Sequence, residues 1–264
     1  MKVFQANEIK NLALIGSTKS GKTTLAETMM FEGGVIERRG TVEEKNTISD
    51  YHEIEYDRGN SVYATSLHTE WRGTKLNIID TPGFDDFIGE VVSSMRVADT
   101  CIMLINAKNG VEVGTELHWN HIQDYNKPML LAVNALDHFR ADFDTAIVGM
   151  KESFGNAVTI MQYPVNQGDG FNKIIDLLKM VMYEFSEGGG KPAKQPIPEE
   201  EKEKADKLHN ELVEKAAEND DELMELYFDK GELDEDEMRK GLRIGMMKND
   251  VYPVFCLSAK HNMG

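Results

Sequence analysis

Apolar and polar positions alternate in blocks along most of the chain. Lys10 to Ile15 (KNLALI) is a short apolar run suited to a buried strand, and Lys22 to Phe31 (KTTLAETMMF) has helical spacing. The same alternation recurs. Thr74 to Asp80 (TKLNIID) predicts a strand and Phe87 to Val97 a helix. Thr100 to Asn106 (TCIMLIN) predicts a strand and Gly114 to Tyr125 a helix, and Met129 to Asn134 (MLLAVN) a strand before a helix at Phe143 to Phe154. Strands this apolar, each followed by a helix, require a parallel sheet covered on both faces. Ser61 to Thr69 (SVYATSLHT) instead alternates residue by residue, and only Glu70 and the turn Trp71-Arg72-Gly73 separate it from TKLNIID. The two segments are expected to form an antiparallel pair, with the former at the sheet edge.

The pattern breaks at Glu187 to Pro198 (EGGGKPAKQPIP), which reads as a glycine/proline linker. Glu199 to about Gly245 is charged and helical in spacing, marked by Leu208, Leu212, Leu223, Leu226 and Leu242. Strand character returns at Val251 to Leu257 (VYPVFCL). The helical block is therefore an insertion within one α/β domain. The expected boundaries are 1–165 for the main domain, 166–246 for the insertion and 247–264 for the return to the main domain.

Between the first strand and the first helix lies Gly16-Ser17-Thr18-Lys19-Ser20-Gly21-Lys22-Thr23, a complete G-x-x-x-x-G-K-[ST] loop followed by Thr24. Its two glycines let backbone N–H groups turn toward a polyphosphate at the helix N-terminus. Lys22 reaches the β/γ oxygens and the Thr23 hydroxyl ligates Mg²⁺. A plain glycine turn is the alternative, and an eight-residue match between strand and helix outweighs it. Asp80-Thr81-Pro82-Gly83 ends a later strand. There Asp80 can hold Mg²⁺ through water, and the Gly83 N–H can face a γ-phosphate. Asn134-Ala135-Leu136-Asp137 and Ser258-Ala259-Lys260 each follow a strand. Together they suit guanine: Asp137 accepts from N1–H and N2–H₂, a pair adenine lacks, and the Ala259 N–H donates to O6.

The 264-residue chain is 41% hydrophobic, enough for a core, and its two cysteines, Cys101 and Cys256, lie in apolar runs. They suit a reducing compartment rather than a disulfide framework. No apolar run approaches a membrane span and the N-terminus lacks a signal-peptide core, so a cytoplasmic, membrane-free protein is expected. The net charge of −17 argues against unaided electrostatic binding to DNA or RNA. The acidity is concentrated, however. Pro198 to Lys240 holds 18 acidic and 7 basic residues, so a partner made partly of RNA stays open for the rest of the chain. The acidic stretch is either a solvated helical face or a binding surface. His118 and His121 read as packing or surface histidines rather than a metal pair, Asp85-Asp86 as a helix cap, and the 15 methionines as core fillers.

Four phosphate and base motifs in this order resemble the G domain of a translational GTPase, specifically an elongation factor G paralogue. The likeness includes Arg39 to Ser66, DTPGFDDFIGEV, and His138 to Asp144 (HFRADFD). The helical insertion stands where this family carries its G′ subdomain. The resemblance implies a P-loop NTPase three-layer α/β sandwich that binds GTP/GDP and Mg²⁺. It also implies ribosomal partners, with the stalk protein and ribosomal RNA among them, reached through a longer factor of which this chain is a monomeric N-terminal fragment.

Four departures accompany the likeness. Phe84 follows D-T-P-G where the family has a His that positions the attacking water. Phenylalanine has no donor or acceptor, and losing such a group costs about 10²–10⁴ in rate, or ~3–5 kcal/mol. Ala135 stands in place of the N-K-x-D lysine, which implies weaker nucleotide binding. Lys19 occupies a P-loop position often held by Asp; it either replaces a monovalent cation or faces solvent. Ser61 takes the place of the switch threonine that ligates Mg²⁺. On this reading Lys22, Gly83 and Phe84 define the catalytic region, and Thr23, Ser61 and Asp80 the metal region. The alternatives are a GTP-gated binding module without significant hydrolysis, a ribosomal-protection or release-factor-type GTPase, and a P-loop ATPase, which Asp137 and Ser258-Ala259-Lys260 disfavour.

Overall fold

The computed structural model describes residues 3–264. These divide into two compact units. One holds the chain up to Asn106 together with Val111–Lys127; the other holds Ala107–Gly110 and Pro128–Gly264.

The first unit runs β1 (Ile9–Ile15), α1 (Lys22–Glu32), α2 (Glu53–Arg58), β2 (Thr65–Trp71), β3 (Thr74–Asp80), α3 (Ile88–Val97), β4 (Thr100–Asn106) and α4 (Val113–Tyr125). Its strand order is β2-β3-β1-β4. β1 pairs in parallel with both β3 and β4, and its last residues Ala13, Leu14 and Ile15 are fully buried. β2 and β3 are antiparallel, Trp71 opposite Thr74. Arg72 and Gly73 join them with φ of 48° and 83°. Two left-handed residues in a two-residue loop match the right-handed twist of the flanking strands.

The expected strand at Ser61–Thr69 begins late, at Thr65. The cause is a competing acceptor. The Val62 and Tyr63 N–H groups donate to the buried Glu55 carboxylate at 2.9 and 3.1 Å, and the Ala64 N–H donates to Glu90 at 2.9 Å. Amides engaged by side chains are lost to the ladder. The helix expected from Phe87 opens with a 3₁₀ turn at Asp85–Phe87, then continues as α3.

The second unit contains β5 (Met129–Asn134), α5 (Phe143–Phe154), β6 (Val158–Ile160), β7 (Gln162–Pro164), β8 (Lys173–Asp176), β9 (Val181–Glu184), β10 (Ala193–Gln195), α6 (Glu199–Ala217), α7 (Asp221–Lys230), α8 (Glu235–Lys248) and β11 (Tyr252–Cys256). β11 lies between β5 and β6, parallel to both. Across these seven strands of the two units only the β2–β3 pair is antiparallel, so the mostly parallel α/β class with one antiparallel edge strand holds.

A second sheet, ordered β10-β9-β8-β7 and antiparallel throughout, has no counterpart in the sequence pattern. Its strands are three or four residues long, too short for a period to register. β10, wholly exposed, lies inside the expected linker. The three helices of the acidic block follow. α6 buries Ala205, Leu212, Val213, Ala216 and Ala217 along one stripe and leaves its charges outside. Gly241 of α8 stands where a Cβ would lie 2.1 Å from the Ala216 carbonyl oxygen, so a glycine sets the closeness of the α6–α8 crossing.

Candidate functional site

The phosphate motifs lie at the carboxyl ends of β1 and β3 in the first unit. At Gly16, φ is 140° and a Cβ would sit 2.5 Å from the Leu104 carbonyl oxygen of β4. The loop can leave the strand there only without a side chain. Gly83 is the second such position: its Cβ would meet Lys22 Nζ at 2.5 Å and Thr18 Cα at 2.8 Å. The D-T-P-G segment therefore lies directly against the P-loop. Ser17 Oγ donates to Glu112, just before α4, at 2.7 Å. Glu112 braces the loop, and no motif marks it.

Lys22 is buried, and Nζ donates to the Gly16 and Ser17 carbonyls at 2.9 and 3.0 Å. Burial lowers its ammonium to about 8, although Asp80 and Asp50 pull the other way. Asp80 is pushed up to about 6 by burial, against the hydrogen bond from Thr23, the charge of Lys22 and the hydrogen bond from Ser49. Asp50 is raised too, again chiefly by burial. Desolvation thus outweighs pairing for all three groups. A magnesium polyphosphate carries the compensating charges of both signs.

The oxygen set around Asp80 fits that metal. Thr23 Oγ1 donates to Asp80 Oδ2 at 2.8 Å and lies 3.3 Å from Ser61 Oγ. Ser49 Oγ also donates to Oδ2, at 2.9 Å. Asp80 Oδ1 is buried with no hydrogen-bond partner among the described residues, an acceptor open to a metal-bound water. Among the described residues no group of three or more His, Cys, Asp or Glu side chains could hold a metal. Hydroxyls, one carboxylate and substrate oxygens are nonetheless what Mg²⁺ takes at nucleotide sites. Ser49 and Asp50 join this cluster unannounced, because isolated polar residues in a polar loop carry no periodicity.

The switch-like segment is held by two buried carboxylates. Glu27 of α1 accepts from the Gly40 N–H at 2.9 Å and from the Ile48 N–H. Glu55 accepts from Val62 and Tyr63 and caps the start of α2 through the His52 N–H at 3.2 Å. Ser61 is brought to Thr23 by this folding. Phe84 is 37% exposed, and it caps the 3₁₀ turn through its carbonyl, which accepts from the Phe87 N–H at 3.0 Å. Lys19 has φ of 60° and is exposed; Asn106 Nδ2 donates to its carbonyl at 3.0 Å. Ser20 and Thr23 are buried and Thr18 and Thr24 half-buried. His118 is buried, and burial lowers its imidazole to about 3.

The base motifs form a separate cluster in the second unit. Ser258 is fully buried, and its Oγ donates to Asp137 Oδ1 at 2.6 Å. The Ala259 N–H, expected to meet a guanine O6, donates here to Asn134 Oδ1 at 2.9 Å. Ala135 holds φ of 61°, a left-handed conformation that costs a Cβ-bearing residue roughly 1 kcal/mol. Lys260 is exposed. His261, which no motif includes, places Nε2 3.4 Å from Asp137 Oδ2.

A strand, P-loop and helix, with an aspartate closing the third strand beside them, define a P-loop nucleotide-binding domain. Residues 7–264 match the family described as "Elongation factor Tu GTP binding domain". A crystal structure of a Thermus thermophilus protein superposes with a TM-score of 0.90 at 28% identity; the match covers 97% of this chain and 38% of the Thermus chain. The chain belongs to the elongation factor Tu GTP-binding domain family, and it spans little more than a third of that Thermus protein. No helix among the described residues is long and apolar enough to cross a membrane.

Proposed function

We propose that this domain binds Mg²⁺·GTP and GDP as the switch of an elongation factor G-like ribosomal factor, and that it hydrolyses GTP slowly. The observation that carries the nucleotide and metal roles is the oxygen set of Thr23, Ser61 and Asp80 beside buried Lys22. Thr23 and Ser61 would hold Mg²⁺ directly and Asp80 through water, with Lys22 and the Gly83 N–H on the terminal phosphates. Bound magnesium would supply charge neutralisation at the β/γ oxygens. Asp137 would select guanine.

Slow hydrolysis follows from Phe84. Phosphoryl transfer depends on positioning and electrostatics, and a phenyl ring can orient no water. The domain can still gate a conformation, because a ligand that binds two states unequally shifts their populations. The first unit supports a nucleotide-gated module equally well, so turnover separates the two readings. The main-domain boundaries 1–165 and 247–264 and the insertion 166–246 belong to this proposal. So does an acidic insertion that docks on a basic face of the ribosomal stalk.

Calorimetry with GDP and ADP tests the base assignment. Binding of GDP without ADP is expected. Equal affinity for both would overturn the guanine reading.

A further inference from the structure

The acidic partner of the guanine motif has a neighbouring side chain at each of its oxygens. Ser258 holds Oδ1 of Asp137 at 2.6 Å, and the His261 ring reaches Oδ2 at 3.4 Å. The turn that presents His261 is closed on itself. The Ser258 N–H donates to the Met263 carbonyl at 2.8 Å, and the Met263 N–H returns to Ser258 at 3.1 Å. The His261 N–H donates to the Ser258 carbonyl at 3.1 Å and lies 3.3 Å from its hydroxyl. From outside the turn, the Gly190 N–H donates to the Asn262 carbonyl at 2.9 Å. Ser258 therefore anchors both the carboxylate and the backbone that carries the imidazole.

Recognition of guanine by a carboxylate is bidentate. Each oxygen must offer a lone pair in the plane of the base, one to N1–H and one to the exocyclic amine. A carboxylate tied at one oxygen can still rotate about its Cβ–Cγ bond, because that torsion is broad. A second tie at the other oxygen fixes the plane. We infer that His261 is a positioning residue for guanine specificity, which sets the plane of the Asp137 carboxylate through Oδ2 while Ser258 holds Oδ1. The inference rests on the base role proposed for Asp137.

Its signature is discrimination rather than affinity alone. Inosine lacks the exocyclic amine and needs one oxygen only, so it tolerates a rotated carboxylate. His261 is partly exposed, with 44% of its side chain accessible, so its removal leaves the core untouched. The experiment measures GDP and inosine diphosphate binding by calorimetry for the unmodified protein, His261→Ala, His261→Gln and Asp137→Asn, with xanthosine diphosphate added for the last. His261→Ala should lower GDP affinity about three- to tenfold, as expected for a partly exposed polar pair. Inosine diphosphate should change less, so that the GDP/inosine diphosphate ratio falls. His261→Gln, which keeps an N–H donor, should recover much of that ratio. An unchanged ratio in His261→Ala, whether both affinities hold or fall together, would overturn the inference. Asp137→Asn separates the two claims. If it fails to shift preference toward xanthosine diphosphate, the base assignment of Asp137 itself fails. If it does shift and His261→Ala leaves the ratio alone, only the role of His261 fails.

Discussion

Single residues in this domain show how burial sets chemistry. His118 lies inside α4 with 1% of its surface accessible, and burial, reinforced by the charges of Lys22 and His121, lowers its imidazole from 6.5 to about 3. The unfolded chain therefore binds one more proton than the folded chain between those values. Stability from this residue is full above 6.5 and is lost as pH falls through the window. At pH 5 the loss is about 2 kcal/mol. Denaturant titrations of the protein and of His118→Leu at pH 7 and pH 5 should show the stability difference between the two shifting by that amount in favour of the variant. Parallel pH profiles would mean that the imidazole is charged or solvated in the folded state. The motif residues were legible from sequence because phosphate and guanine dictate their spacing. Glu112, Ser49, Asp50 and His261 were not, since each reaches its target across the fold: Ser17 and Glu112 are 95 positions apart, and Ser49 and Asp80 are 31 apart.

At the scale of elements, the switch-like segment is tied to the helix that carries Lys22 and Thr23. Glu27 lies one turn beyond Thr23 and receives N–H groups from Gly40 and Ile48 on either side of a loop that closes on itself, the Thr41 N–H donating to Asn46 Oδ1 at 2.7 Å. Glu27→Ala would leave two amides without their acceptor, at a cost of about 1–3 kcal/mol each where they stay buried. Limited proteolysis with a saturating non-hydrolysable GTP analogue should then cut between about Thr41 and Tyr63 several-fold faster than in the unmodified protein. Equal rates would mean that the nucleotide alone orders the segment. Cutting of the unmodified protein should also be faster with GDP than with the analogue, as in an order–disorder switch. Elements with a strong period, such as α5 at Phe143–Phe154, stand where their apolar spacing places them. β2 begins four residues late because Glu55 outcompetes the strand ladder for Val62 and Tyr63, a contest that no local pattern records.

Across the molecule, the acidic charge is concentrated in the helical block. α6 exposes Glu200, Glu203, Glu211 and Glu214 along one stripe, opposite its buried alanines and Leu212. Excising about residues 190–245 would strip β10 from β9 and remove Glu201 and His209 from their contacts with Tyr163 and the Leu177 carbonyl. Changing the four glutamates to glutamine leaves those contacts in place. The variant should bind GDP as before and the ribosomal stalk several-fold more weakly, with the difference shrinking at high salt as exposed charge pairs do. Unchanged stalk binding would make the stripe a solvated face and nothing more.

The central claim is that nucleotide and metal are positioned normally while the water is not. Single-turnover GTP hydrolysis, with ribosomes present, tests it most directly in the protein and its Phe84→His variant. The account predicts slow turnover for the unmodified protein and a gain of at least about tenfold for Phe84→His, with GDP affinity unchanged. Fast hydrolysis by the unmodified protein, or no gain from histidine, would contradict it and place water orientation on another residue.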